Sequence, residues 1–256
     1  LDWGRAKSVL IISFLLLNVL LGYQLWLDIR EQLNVNVNTA ELPQDKILLM
    51  QQKRISLDAN LPLETPKLGD LTYLLRSESR GKEESVPLDA PVDSKVIFTK
   101  SELVKALGRY IPDIDQYVYD SLSSSMEVVV LHRAVEGHPM FDAKLLLYIS
   151  NQKITSYQQD SVELLGMGEA KQVLPATKVV ASLIETYLPD GAVIADIQLG
   201  YHGQIFDSEK QVSAPSWRVL LENGPPYYVH AISGEVATDE TNGEEAGNGQ
   251  REKGQE

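Results

Sequence analysis

The chain has no cysteine among its 256 residues. That excludes disulfides, thiolate zinc sites and thiol nucleophiles, and leaves burial and hydrogen bonding to hold any fold together. Histidine is scarce: His132, His138, His202 and His230. None stands four residues from another on a helix, and H-E-x-x-H is missing. They read as ordinary polar or half-buried side chains, and no metal ligand set is expected. There is no G-x-S-x-G elbow, and Gly166-Met167-Gly168 has no serine beside it. Ser121, Ser123, Ser124 and Ser125 cluster without a lysine at S-x-x-K spacing, so they read as a loop. Gly200 and Gly203 lack the third glycine of a nucleotide fingerprint. Glu83-Glu84 lies in a charged loop and reads as solvated. No catalytic, cofactor or metal site is expected, and the protein does not read as an enzyme. Positive charge is also in deficit, with 23 Lys and Arg against 36 Asp and Glu, a net charge of −13. Nucleic acid and anionic lipid surfaces are therefore poor partners for its folded part.

What the sequence does have is one long uncharged run, Ser8 to Leu27. As a helix its 20 residues would be about 30 Å long, the thickness of a bilayer core. A cleaved secretory signal would be shorter and end in a small-x-small site. This run ends in Gly22-Tyr23-Gln24-Leu25-Trp26, so a retained transmembrane anchor is expected, with Tyr23 and Trp26 at the outer interface. Arg5 and Lys7 precede the run, whereas Arg30 follows it among acids. That bias predicts a cytoplasmic N-terminus at 1–7 and an extracytoplasmic remainder. At helical spacing Ile11, Leu15, Asn18, Gly22 and Leu25 share one face. A mid-span amide usually faces another helix, and glycine allows close approach, so this face is expected to meet a partner span. The competing reading is that Asn18 is merely tolerated and bonds to its own backbone.

A linker is expected over 28–44 and an amphipathic helix over Asp45 to Ile55, with Ile47, Leu48, Met50 and Ile55 apolar. Leu71 to Leu75 reads as a strand, Arg76 to Pro91 as a surface loop, and Val96 to Phe98 as a short β-run. A helix over 100–111 follows, capped by Thr99 or Ser101 and ended by Pro112. Strands are expected at Tyr117–Leu122, Met126–Glu136, Phe141–Ser150 and Lys153–Leu164. The last two form a hairpin about Ser150-Asn151-Gln152. Pro175 to Leu188 is the clearest soluble helix, with Val179, Val180, Leu183, Ile184, Tyr187 and Leu188 in one stripe. Strands at Val193–Tyr201, Trp217–Leu221 and Tyr227–Ile232 complete the pattern. Trp217, Val219 and Leu221 alternate onto one face and are expected in the core. From Asp239 on there is no apolar periodicity, and 238–256 reads as a disordered acidic tail.

The predicted class is α+β: one N-terminal transmembrane helix at 8–27, then antiparallel sheets with packed helices. Two similar subdomains are expected, 45–168 and 169–237, from a helix-then-strands echo at 101–164 and 175–236.

The opening from Asp2 through Leu-Asn-Val-Leu-Leu-Gly-Tyr-Gln-Leu resembles the YycI family. So do His138-Pro139-Met140-Phe141-Asp142, the Pro175 helix, Ile197 to Tyr201, and the closing Trp217–Leu221 and Tyr227–Val236 strands. The acidic tail departs from the family. The closing strands are also similar to PepSY-type modules. The resemblance implies a single-span accessory regulator of an essential cell-wall two-component system. Its partners would be a YycH-like protein and the sensor histidine kinase YycG, also called WalK. It carries over no catalytic residue and no cofactor. Two other classes stay open: a PepSY-like extracytoplasmic inhibitor or chaperone of a cell-wall hydrolase or protease, and a small-ligand sensor.

Overall fold

A computed structural model describes residues 14–23, 42–75, 85–206 and 208–238. Residues 14–23 are helical, with every side chain exposed, including Phe14, Leu15, Asn18 and Leu20. Among the described residues no helix is long and apolar enough to cross a membrane. The rest of the 8–27 run, including Ile11 and Leu25, lies outside the described residues, as do 1–7, most of the 28–44 linker and 239–256.

The elements in chain order are α1 Gln44–Lys53, β1 Ser56–Leu57, β2 Lys67–Leu68, β3 Leu71–Leu75 and β4 Val86–Asp93. A 3-10 turn at Ser94–Phe98 leads into α2 Lys100–Leu107, and another at Ile114–Gln116 leads into β5 Tyr117–Asp120. Then come β6 Val128–Val135, β7 His138–Ser150, β8 Lys153–Gln159, β9 Val162–Met167 and β10 Lys171–Gln172. The chain closes with α3 Ala176–Thr186, β11 Val193–His202, β12 Lys210–Leu221, β13 Tyr227–His230 and β14 Val236–Thr238. The architecture is α+β.

One plan occurs twice. A helix, α2 or α3, is followed by four strands that pair antiparallel in sequence, β5 to β8 and β11 to β14. Two-residue turns set the first meander. Glu136 and Gly137 join β6 to β7, and Asn151 and Gln152 join β7 to β8, all four with positive φ as tight hairpins of right-handed twist require. The meanders meet where β11 runs parallel beside β7, Tyr201 opposite Met140. Gly200 permits that approach. A Cβ there would lie 2.4 Å from the Pro139 carbonyl and 2.7 Å from the Phe141 ring.

Each helix seals one core. In α3, Val179, Val180, Leu183 and Ile184 are buried against Ile197, Trp217, Val219 and Val229 of β11 to β13. Each such side chain contributes about 1.5–3 kcal/mol when removed from water. Residues 42–75 join this core through Met50, Leu57, Leu61, Leu71 and Tyr73. Lys53 of α1 donates to the Ile184 carbonyl at 2.8 Å, near the C-terminal end of α3, where a cation is favoured. The second core sets Leu103 and Leu107 of α2, with Ile111, against Leu131, Leu145 and Leu147 of β6 and β7.

Several expectations need correction. Residues 86–93 are a strand, not a loop, despite Pro87 and Pro91. Among the described residues strand β4 pairs only with β8, and its register breaks between Pro87 and Val92, the edge-and-bulge setting in which proline is tolerated. Residues 96–98 belong to a 3-10 turn, because the Asp93 carboxylate accepts from the Lys95 amide at 2.9 Å and caps it. Neither Thr99 nor Ser101 caps α2 with its side chain, and that helix stops at Leu107. The 153–164 run divides into β8 and β9, because Asp160 turns away to bond the Lys144 backbone through its amide and carboxylate. In the α1 stripe Leu48 is exposed, and in the α3 stripe Tyr187 is. Strand β12 begins seven residues before Trp217, and its first part pairs with β3 rather than β11.

Candidate functional site

The residues expected in the core lie at the centre of the second meander. Trp217 and Val219 are fully buried, and Leu221 is half-buried against the same cluster. The Trp217 indole N–H donates to the Leu174 carbonyl at 2.9 Å, so its one polar atom is satisfied. Of the expected span face, Leu15, Asn18 and Gly22 stand exposed on the helical segment, and among the described residues nothing beyond the helix's own backbone lies within 4 Å of where a Gly22 Cβ would be.

On the opposite face of β12, a cluster that the sequence did not reveal holds the two meanders together. Asp120, at the end of β5, is buried with His132 of β6 and Arg218 of β12. Its carboxylate accepts from Arg218 Nη1 at 2.5 Å, from His132 Nε2 at 3.1 Å, and from the amides of Leu122 and Ser123 at 3.2 Å. Arg218 also donates to Gln198 at 3.1 Å, and its guanidinium lies 4.5 Å above the Phe141 ring. Burial pushes the Asp120 carboxyl up, but the bonds from His132, Arg218 and Ser123 outweigh it and hold it well below the usual carboxylate range. The serine cluster serves this turn. Ser124 donates to the Asp120 carbonyl and accepts from the Val130 amide, which is a structural role. The available signal was Arg218 itself, a charge between Trp217 and Val219 in an apolar strand.

Among the described residues, two of the concavities on the surface bear on function. One, of about 860 Å³, lies between the 3-10 turn and the β5–β6 and β7–β8 hairpins. It is mainly apolar, and exposed Phe98 and Met126 line it together with Tyr119, whose ring meets Phe98 edge-on at 6.4 Å. The other, of about 690 Å³, lies on the face of β11 to β13 away from α3, and His202, Tyr228 and His230 line it. There His202 Nδ1 donates to Asp142 at 2.7 Å. The same carboxylate accepts from the Gly203 amide at 2.8 Å and from the Ser213 hydroxyl at 3.1 Å. The serine bonds the carboxylate and not the imidazole, so this is not the order of a serine hydrolase relay. Among the described residues no group of three or more His, Asp or Glu side chains is placed to hold a metal ion.

A family model described as "YycI protein" matches residues 34–232. No curated protein matches the chain. Among solved structures, the crystal structure of an uncharacterized protein from Eubacterium rectale ATCC 33656 is similar at 9% identity. It covers 72% of this chain and 90% of its own, with a TM-score of 0.44.

Proposed function

The chain belongs to the YycI family, and from that premise we propose that it is a non-catalytic, membrane-anchored accessory regulator acting on the sensor histidine kinase YycG in a complex with a YycH-like protein. The family match over 34–232 carries this reading; a regulatory role in the YycG system is what membership implies. The membrane part rests on different support. The uncharged 8–27 run is long enough to span, and its described portion exposes Phe14, Leu15, Leu16, Leu17, Val19, Leu20 and Leu21 with nothing of the folded domain covering them. The N-terminus is cytoplasmic and the folded domain extracytoplasmic in this reading.

This reading assigns partner contacts to the span face with Asn18 and Gly22 and to the apolar groove with Phe98 and Met126. Site-specific cross-linking in membranes tests the proposal. Asn18→Leu with Gly22→Leu, in protein whose insertion and amount are checked, should lower cross-linking to the kinase and change its output. Phe98→Asp with Met126→Asp tests the groove, and both side chains are exposed enough to leave the fold intact. Wild-type cross-linking and output in both variants would sink the regulator reading. Protease added to intact protoplasts should remove the folded domain; full protection would overturn the topology.

A second reading keeps one observation of its own. Residues 176–238 form a helix followed by a four-stranded meander with a Ser233-Gly234 turn, which suits a PepSY-like inhibitor or chaperone of a cell-wall hydrolase or protease. Recovery of such an enzyme, rather than the kinase, as the cross-linked partner would favour it.

A further inference from the structure

We propose that the cavity lined by His202, Tyr228 and His230 is a binding site for a cationic, donor-rich group: the guanidinium or ammonium of a peptide side chain or of a free amine. The two imidazoles carry the argument, because the fold fixes which nitrogen of each bears the proton. The Asp142 carboxylate can only accept, so His202 Nδ1 holds the hydrogen at 2.7 Å, and in the neutral ring the lone pair is on Nε2. Asp142 is itself held by Gly203 and Ser213, and the His202 ring is stacked on Tyr228 at 3.7 Å and 15°. This acceptor is therefore held in place before any ligand arrives.

His230 is fixed the other way. Its Nδ1 accepts from the amides of Ile232 at 3.2 Å and Ser233 at 3.1 Å, so in the neutral ring the proton sits on Nε2. Among the described residues neither Nε2 has a hydrogen-bond partner, and neither is sealed from solvent. The carboxylates of Asp70 and Glu235, both exposed, are the acidic groups of the lining, which also holds Gln204 and Ser216. The charged side chains of the cavity are thus both anionic, and the Nε2 atoms of the neutral imidazoles add one acceptor and one donor beside the neutral Gln204 and Ser216. A donor-rich cation fits that balance, and an anion does not, least of all on a chain of net charge −13. A bare metal ion is disfavoured because these groups do not converge. They are spread around a space of about 690 Å³, which suits a planar guanidinium with a stem lying on Val212 and Val236.

The test uses the full chain in detergent micelles and follows the imidazole resonances of His202 and His230 by NMR. The probes are the blocked tripeptide acetyl-Gly-Arg-Gly-amide, its uncharged citrulline counterpart, and agmatine. The arginine peptide or agmatine should shift both rings saturably, and the citrulline peptide should not. The tighter of the two cationic probes identifies a peptide side chain or a free amine as the source. Asp70→Asn with Glu235→Gln, exposed replacements that leave the fold alone, should weaken binding about tenfold or more. Equal binding of the citrulline peptide, unchanged affinity in the double variant, or no saturable shift from either cation would each overturn the proposal.

Discussion

Arg218 and Asp120 form a buried ion pair at 2.5 Å across 98 positions of chain, joining the second strand of one meander to the first strand of the other. Taking both charges out of water is costly, and attraction repays it only when the remaining atoms are hydrogen-bonded. The Asp120 carboxylate meets that condition through His132, Leu122 and Ser123, whereas Arg218 Nε is buried without a partner. Arg218→Met should therefore cost about 3–5 kcal/mol in urea unfolding, because it strands a buried carboxylate. Adding Asp120→Asn should recover part of the loss. A single-variant cost near zero would mean that water reaches the pair.

The same carboxylate sets an acid limit. An unfolded aspartate titrates near about 3.9, and the folded value of Asp120 is depressed. Its stabilisation is fully present above the unfolded value and is lost as pH falls through the folded one. Asp160 and Asp196 run the other way, because burial raises both. The clean measurement is thus the difference between wild type and Asp120→Asn. Stability measured from pH 6 downward should show the variant losing less than wild type below about pH 4. Parallel curves would disprove the assignment.

Tyr201 sets the alkaline limit. Its hydroxyl is buried without a partner, and burial first, then the nearby Glu136 charge, pushes the phenol up to about 12. The unfolded value is near about 10. A raised folded value means stability that is present below about pH 10 and declines as pH climbs towards about 12. Tyr201→Phe should abolish that decline. It should also leave neutral stability unchanged or raise it by about 1 kcal/mol, since no hydrogen bond is lost. An unchanged alkaline profile would count against it.

Trp217→Ala should cost about 3–5 kcal/mol in the same unfolding assay. The ring is fully buried, and its N–H anchors the segment leading into α3 through the Leu174 carbonyl. A small loss would require the core around Val219 and Val229 to collapse into the space.

Local signals are legible in the sequence, and long-range ones are not. The apolar stripe of α3 and the alternation through Trp217 placed a helix on a sheet, because both depend only on spacing. The second core was partly visible in the helix expected at 100–111 and the runs at 126–136 and 141–150. Strand β4 was hidden because two prolines mark a loop unless the strand is an edge, and edges are set by partners far along the chain. The Asp120–His132–Arg218 cluster was hidden for the same reason, since the acid that Arg218 meets lies 98 positions earlier in the chain. Nothing near His202 in the sequence marks it as an oriented side chain. What orients it is Asp142, 60 positions earlier.

Gly200 is where these long-range contacts become a single mechanical unit. In a strand, glycine to alanine ordinarily helps, because glycine loses more backbone freedom on folding. Here the added Cβ would stand 2.4 Å from the Pro139 carbonyl and 2.7 Å from two atoms of the Phe141 ring. That ring cannot retreat freely. It lies 4.5 Å beneath the Arg218 guanidinium, with the His132 and Tyr228 rings each 5.7 Å away. Gly200→Ala should therefore destabilise by about 1–3 kcal/mol, the usual cost of overpacking. Gly166→Ala, with nothing within 4 Å of its Cβ position, should be close to neutral and serves as the control. Because Phe141 touches Arg218, the Gly200→Ala and Arg218→Met costs should not add: the double variant should be about 0.5 kcal/mol or more away from the sum. Strict additivity would mean that the clash is absorbed by the β7 backbone at Pro139, and that the joint between the meanders and the ion pair yield independently.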